Sequence, residues 1–239
     1  MRRELRRQLG LLETAAHSRA QLVANWLLLL TTRLTESDGG LWDPCLSECE
    51  ELDADSRHFE TVCLQLIMRL RPAGTDLRKT LLMTQAWAML RQSARLADRI
   101  SATALEFSYV TNFQVPVLLT ELAQTTGEVL TGAMRTLRDW DENSCRTVLD
   151  SARLAHRQCT TLQQHLSEHL RTQSEDLPCG LRLQVLSEWL VLIADVGAGF
   201  ADDVRRAVAT CPASQTTVTF AADDDPVLED RLIRETPRV

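Results

Sequence analysis

Apolar residues recur at three- and four-residue spacing from Leu5 through Leu9, Leu12, Ala16, Val23, Trp26, Leu27 and Leu30 to Leu34, with no proline among them. A stripe of about nine turns is an amphipathic helix, and it sets the scale of the fold. The chain punctuates itself rarely: 9 Gly and 7 Pro in 239 residues fall well below the roughly 12 % of an average protein. Aromatic residues make up 5 %, so the residue types that strands favour are thin, whereas Leu, Ala, Glu, Gln and Arg favour helices. The sequence predicts an all-α protein.

The few breakers place the remaining helices. Ser37 to Gly40 ends the first. A second runs from about Pro44, a good first-turn residue, to Leu70, where Arg71 to Gly74 breaks it. A third starts at Thr75 or Asp76, both capable caps, with the stripe Leu77, Leu81, Ala86, Leu90, Ser93, Ala97, Ile100 and Ala104, whose small members allow a close neighbour. After a break near Asn112 to Pro116, a fourth helix covers about 117–137 and a fifth about 143–172, with residues 139 to 142 as the turn between them. Beyond the interruption at Ser174 to Pro178, a sixth carries Leu181, Val185, Trp189, Leu192, Val196, Phe200 and Val204. The six lengths match in order, three and three. An offset of 104 residues sets Asp76-Leu77-Arg78 on Gly180-Leu181-Arg182 and Asp98 on Asp202. The expectation is two pseudo-repeated three-helix bundles, 1–110 and 111–211. From Pro212 the periodicity stops and Thr, Asp and Pro accumulate, which predicts a disordered tail over 212–239.

A net charge of -7 with no compensating basic stripe argues against nucleic-acid binding. The 26 basic residues include a single lysine, Lys79. So arginine-rich a chain reflects either a GC-rich coding sequence or planar recognition of phosphate and carboxylate, and the second requires a cluster of arginines in space. Cysteines stand at 45, 49, 63, 145, 159, 179 and 211, an odd number without a CxxC pair, as expected of reduced thiols in the cytoplasm. Arg2, Arg3, Arg6 and Arg7 could open a signal peptide, but Glu4 and Glu13 interrupt that pattern. The dense apolar run Trp26 to Leu30 is far shorter than the roughly 20 residues of a membrane span. A soluble, cytoplasmic chain without membrane insertion is expected. Apolar on all sides, that run should lie between the bundles or at a dimer interface.

The segment Leu70-Arg71-Pro72-Ala73-Gly74-Thr75-Asp76-Leu77-Arg78 resembles the Pro-x-Ala-x-Asp-Leu-Arg type turn that opens the third helix in the PhoU family, the negative regulators of bacterial phosphate uptake. With helix order and length, the resemblance spans roughly residues 1 to 210. It implies a six-helix fold, a cytoplasmic and often dimeric protein, and binding to the phosphate ABC transporter ATPase and a phosphate sensor histidine kinase. The family also carries an acidic motif about twenty residues after the turn, Glu-Arg-x-Gly-Asp with Asp or Asn three residues on. Carboxylates at i, i+4 and i+7 share a helix face and can hold a divalent cation. Here Arg91 and Arg95 occupy the leading positions of the first repeat, leaving Asp98, and the second repeat keeps Asp195 and Asp202 around Gly199. Three arrangements are open. Asp195 and Asp202 could be solvated or paired with Arg205 and Arg206; with Asp98 they could be the remnant of a metal site; or they could pair with Arg91 and Arg95 across the groove between repeats.

His165-Leu166-Ser167-Glu168-His169 fits HxxEH, the inverted zincin motif, but Glu175 and Asp176 follow too closely to supply a third ligand. His156 and Cys159 lie three apart, a possible Cys-His pair. Glycine-rich phosphate loops and GxSxG are absent from the sequence. The expected protein is a non-enzymatic regulator acting by binding, without a cofactor. The alternatives are an all-helical dimeric transcription regulator or a metal-dependent helical enzyme.

Overall fold

The computed structural model describes residues 2–36, 46–107 and 113–210, and among these every regular element is helical. The helices are α1 (Arg2–Glu36), α2 (Leu46–Leu70), α3 (Thr75–Phe107), α4 (Leu118–Asp139), α5 (Glu142–Thr172) and α6 (Leu177–Thr210). A short 3₁₀ turn, Ser174–Asp176, leads into α6. The ends of α4 and α5 fall within two residues of the positions set by the breakers. Pro44, the Ser37 to Gly40 stop, Asn112, the boundary at 110, Cys45, Cys211 and the tail from 212 lie outside the described residues.

Local chemistry fixes the turns. Asp141, in an extended conformation, accepts from the backbone N–H groups of Asn143 and Ser144 at 3.1 Å each and so caps α5. At the end of α4, Trp140 takes the left-handed conformation (φ 47°) and donates its N–H to the Thr136 carbonyl at 2.9 Å. Left-handed backbone is costly for a residue with a Cβ; here the indole is buried in return, with the Lys79 ammonium 4.9 Å from its ring centroid. Between α2 and α3, Arg71 (φ 41°) and Gly74 (φ 58°) are both left-handed, which turns the chain within four residues.

The triplets share one hydrophobic core. Helices α1 and α6 each pack on both α3 and α4; α5 closes the second triplet by packing on α4 and α6, whereas α2 packs on α3 and barely touches α1. The α1 stripe from Leu5 to Leu34 is buried throughout. Small residues permit the closest approaches. A Cβ at Gly127 of α4 would come within 2.9 Å of the Ala24 Cβ of α1, and one at Gly197 of α6 within 3.0 Å of the Val129 Cγ1 of α4. The buried Thr126 hydroxyl also reaches the Leu190 carbonyl at 3.3 Å, tying α4 to α6.

The buried face of α6 differs from the expected one. Leu183, Leu186, Leu190, Ile193, Ala194 and Ala201 face the core together with Phe200 and Val204. Leu181, Val185 and Leu192 from the expected stripe are 51 %, 39 % and 46 % exposed. The helix is apolar on both faces, with a window of mean hydropathy 1.4, so a 3.6-residue period carries little contrast. By length and composition the segment Ser174–Thr210 could cross a membrane, a feature the sequence reading passed over; half of its apolar window is buried in this core. Leu81 of α3 is likewise exposed rather than buried. On α1, Trp26, Leu27 and Leu30 are buried between α3 and α4, while Leu28 and Leu29 face outward.

The seam makes two glycines of the core helices behave oppositely. Gly127→Ala should lower stability by about 1 kcal/mol, because overpacking of roughly 1–3 kcal/mol exceeds the gain in helix propensity. At Gly199 an added Cβ meets nothing within 4 Å, so Gly199→Ala should raise stability by about 0.5–1 kcal/mol. Urea unfolding of both variants checks this; a Gly127 variant as stable as the parent would contradict the close approach.

Candidate functional site

Arg91 and Arg95 of α3 both turn to α2. Arg91 Nη1 lies 3.1 Å from Glu60 Oε1, and Arg95 Nη2 lies 3.0 Å from Asp53 Oδ1. Arg57 engages the other oxygen of Asp53 at 2.9 Å, and Arg19 of α1 reaches Asp55 at 2.5 Å. Asp53 and Glu60 are seven residues apart on one face of α2, facing the antiparallel α3. The cross-groove pairing of Arg91 and Arg95 with Asp195 or Asp202 is therefore not formed, because carboxylates on the adjacent helix are nearer. Asp98 is half-buried and makes no ion pair among the described residues.

On α6, Asp195 Oδ1 is 2.7 Å from His156 Nε2 of α5. Asp202 holds two guanidiniums: Arg205 donates from Nε and Nη2 to Oδ1 at 2.9 and 2.7 Å, and Arg206 Nη2 reaches Oδ2 at 2.5 Å. The Arg205 hydrogen bond, with the charge of Arg206, holds the Asp202 carboxyl below the usual carboxylate range. Seven residues of helix separate Asp195 from Asp202 by about 10 Å along the axis, with no carboxylate between them to complete a shared donor set. The position between them, where a middle carboxylate would stand, is Gly199. Among the described residues no three His, Cys, Asp or Glu side chains group so as to hold a metal ion. The donor sets fit a divalent cation poorly in both triplets: arginines stand in the first, and the two carboxylates of the second are committed to neighbours.

The other singled-out residues serve the fold. Pro72 lies in the α2–α3 turn, the buried Asp76 in the first turn of α3, and Leu77 is half-buried. Arg78 Nη1 donates to the Thr210 hydroxyl, joining the start of α3 to the end of α6. His165 and Glu168 are exposed, while His169 Nε2 is 2.8 Å from Asp176 Oδ2 and its ring meets Phe113 edge-on. The HxxEH pair is thus split between solvent and a helix-end contact. His156 is oriented by Asp195. Its neighbour Cys159 is buried, and burial pushes the thiol up, away from a reactive thiolate.

A charged cluster at the seam escaped the sequence reading. Burial raises the Glu13 carboxyl against the pull of Lys79 and Arg138. One turn along α1, burial lowers the His17 imidazole, helped by Arg135 and Arg138. These residues come from α1, α3 and α4, and nothing in their separate positions announces the meeting.

The ion pairs of α2 and α3 are open to a charge-swap test. Arg91→Glu sets a carboxylate against the half-buried Glu60 and should cost about 1–3 kcal/mol. Adding Glu60→Arg should recover most of that loss, as a double-mutant cycle in thermal or urea unfolding would measure. Additive losses would contradict the pairing.

Neither a protein-family model nor a curated protein sequence matches the chain. Solved structures do resemble it. PhoU from Pseudomonas aeruginosa aligns with a TM-score of 0.77 over 88 % of this chain and 100 % of that one, at 15 % identity. The phosphate transport system regulatory protein PhoU from Streptococcus pneumoniae aligns with a TM-score of 0.72 over 86 % of this chain and 97 % of that one, at 14 % identity. The likeness extends over essentially the whole of both proteins, and this chain has the PhoU fold.

Proposed function

We propose that this chain is a PhoU-like regulator of phosphate uptake and phosphate-starvation signalling. It acts in the cytoplasm, as a dimer, by binding the phosphate importer's ATPase and a sensor histidine kinase. The observation that carries this reading is the alignment with P. aeruginosa PhoU over the full length of that chain. Its two triplets, divided near residue 110, would arise by duplication. The action is binding without turnover: His169 is committed to Asp176, and Cys159 is buried. With arginines at the first acidic motif, we propose that the protein works without a bound metal, its α2–α3 face held by ion pairs. Switching is then a shift in population between partners, driven by their differing affinities for one surface.

Affinity capture of the native complex from cells grown with and without phosphate tests the reading. The expected result is recovery of the importer's ATPase or a sensor kinase, in proportions that change with phosphate supply. Recovery of neither under both conditions would overturn it.

A further inference from the structure

The guanidiniums of Arg146, Arg153 and Arg205 converge on the second triplet. A cleft of about 310 Å³ between α5 and α6 is lined by Arg146, Leu149, Asp150, Arg153 and Arg205. Arg146, Asp150 and Arg153 are four and three residues apart, hence on one face of α5, and Arg205 meets them from α6.

Each guanidinium is held at one edge. Arg146 Nη2 binds Glu142 Oε1 at 2.8 Å, Arg153 Nη1 binds Asp150 Oδ1 at 2.6 Å, and Arg205 Nε and Nη2 bind Asp202 Oδ1 at 2.9 and 2.7 Å. Those carboxylates are each three or four residues away on the arginine's own helix. Arg146 Nη1, Arg153 Nη2 and Arg205 Nη1 are left without a protein acceptor among the described residues. Of the carboxylates nearby, Asp150 alone lines the cleft. The exposed Arg146 and Arg153 pairs are weak and orient the guanidiniums without holding them tightly against a competing anion, while the part-buried Asp202 pair fixes Arg205 in place.

We propose that this cleft is a binding site for a phosphoryl oxyanion, either free inorganic phosphate or a phosphomonoester. Guanidinium is the side chain suited to this ligand, because its flat fork matches two phosphate oxygens at once and three forks can share a tetrahedral group. The cleft's volume admits a phosphate with part of its hydration shell. Asp202 does not line the cleft, and both its oxygens are taken by Arg205 and Arg206. The site stands apart from the regulatory reading: binding is measured on the purified chain, whereas partner capture is measured in cells.

The test titrates the full chain with inorganic phosphate and, separately, with O-phosphoserine at constant ionic strength, following the arginine side-chain N–H signals by NMR and the heat by calorimetry. Saturable binding in the roughly millimolar range, with shifts at Arg146, Arg153 and Arg205, is expected. The tighter of the two titrants identifies the source of the phosphoryl group. The exposed pair Arg146→Gln and Arg153→Gln should weaken binding at least about tenfold with an unchanged thermal midpoint, while Arg57→Gln on α2 should leave it unaltered. Three results would overturn the proposal: no saturable shift with either titrant, affinity retained in the double variant, or an equal response to chloride.

Discussion

The close approach of α1 to α4 is the constraint on which the rest depends. Where Ala24 meets Gly127, only the alanine methyl stands between the two backbones. The first helix of one triplet therefore uses its apolar stripe against the first helix of the other. Because α4 takes that stripe, α2 is left with α3 alone, and the first triplet stays open where the second is closed. The tie between α4 and α6 through Gly197 and Thr126 repeats the device inside the second triplet. Interiors this close-packed transmit volume changes rather than absorb them.

That asymmetry explains how the charges are arranged. Helix α2, resting on α3, is held along its polar edge by Arg91 to Glu60 and by Arg95 and Arg57 to Asp53. In the second triplet Asp195 and Asp202 remain, and each has found a basic neighbour, His156 or the Arg205 and Arg206 pair. Each of these carboxylates is thus paired with a basic side chain of the protein itself.

Much of the fold was legible because the breakers are few and fall between helices. Arg71 to Gly74 ended α2 where expected, and the α1 stripe was buried from Leu5 to Leu34. The outer face of α6 was not legible. Leu181, Val185 and Leu192 satisfy helical spacing as well as Leu183, Leu186 and Leu190 do, and only packing against α3, α4 and α5 decides between them. The candidate site divided in the same way. Spacing along α6 brought Asp195 and Asp202 to one face, and the pairing of Asp202 with Arg205 and Arg206 was in part visible as a three- and four-residue interval. The partners of Arg91 and Arg95, the orientation of His156, and the meeting of Glu13, His17 and Lys79 depend on contacts between helices, which one sequence does not record.

The central claim is that Asp195 and Asp202, and the α2–α3 face, are held by ion pairs within the protein rather than by a bound cation. Elemental analysis of the full chain, purified without chelators and exposed to iron, zinc or manganese before desalting, tests it most directly. The account predicts retained metal far below one ion per chain, unchanged by Asp195→Ala. One or more tightly held ions per chain, lost on Asp195→Ala or Asp202→Ala, would contradict it.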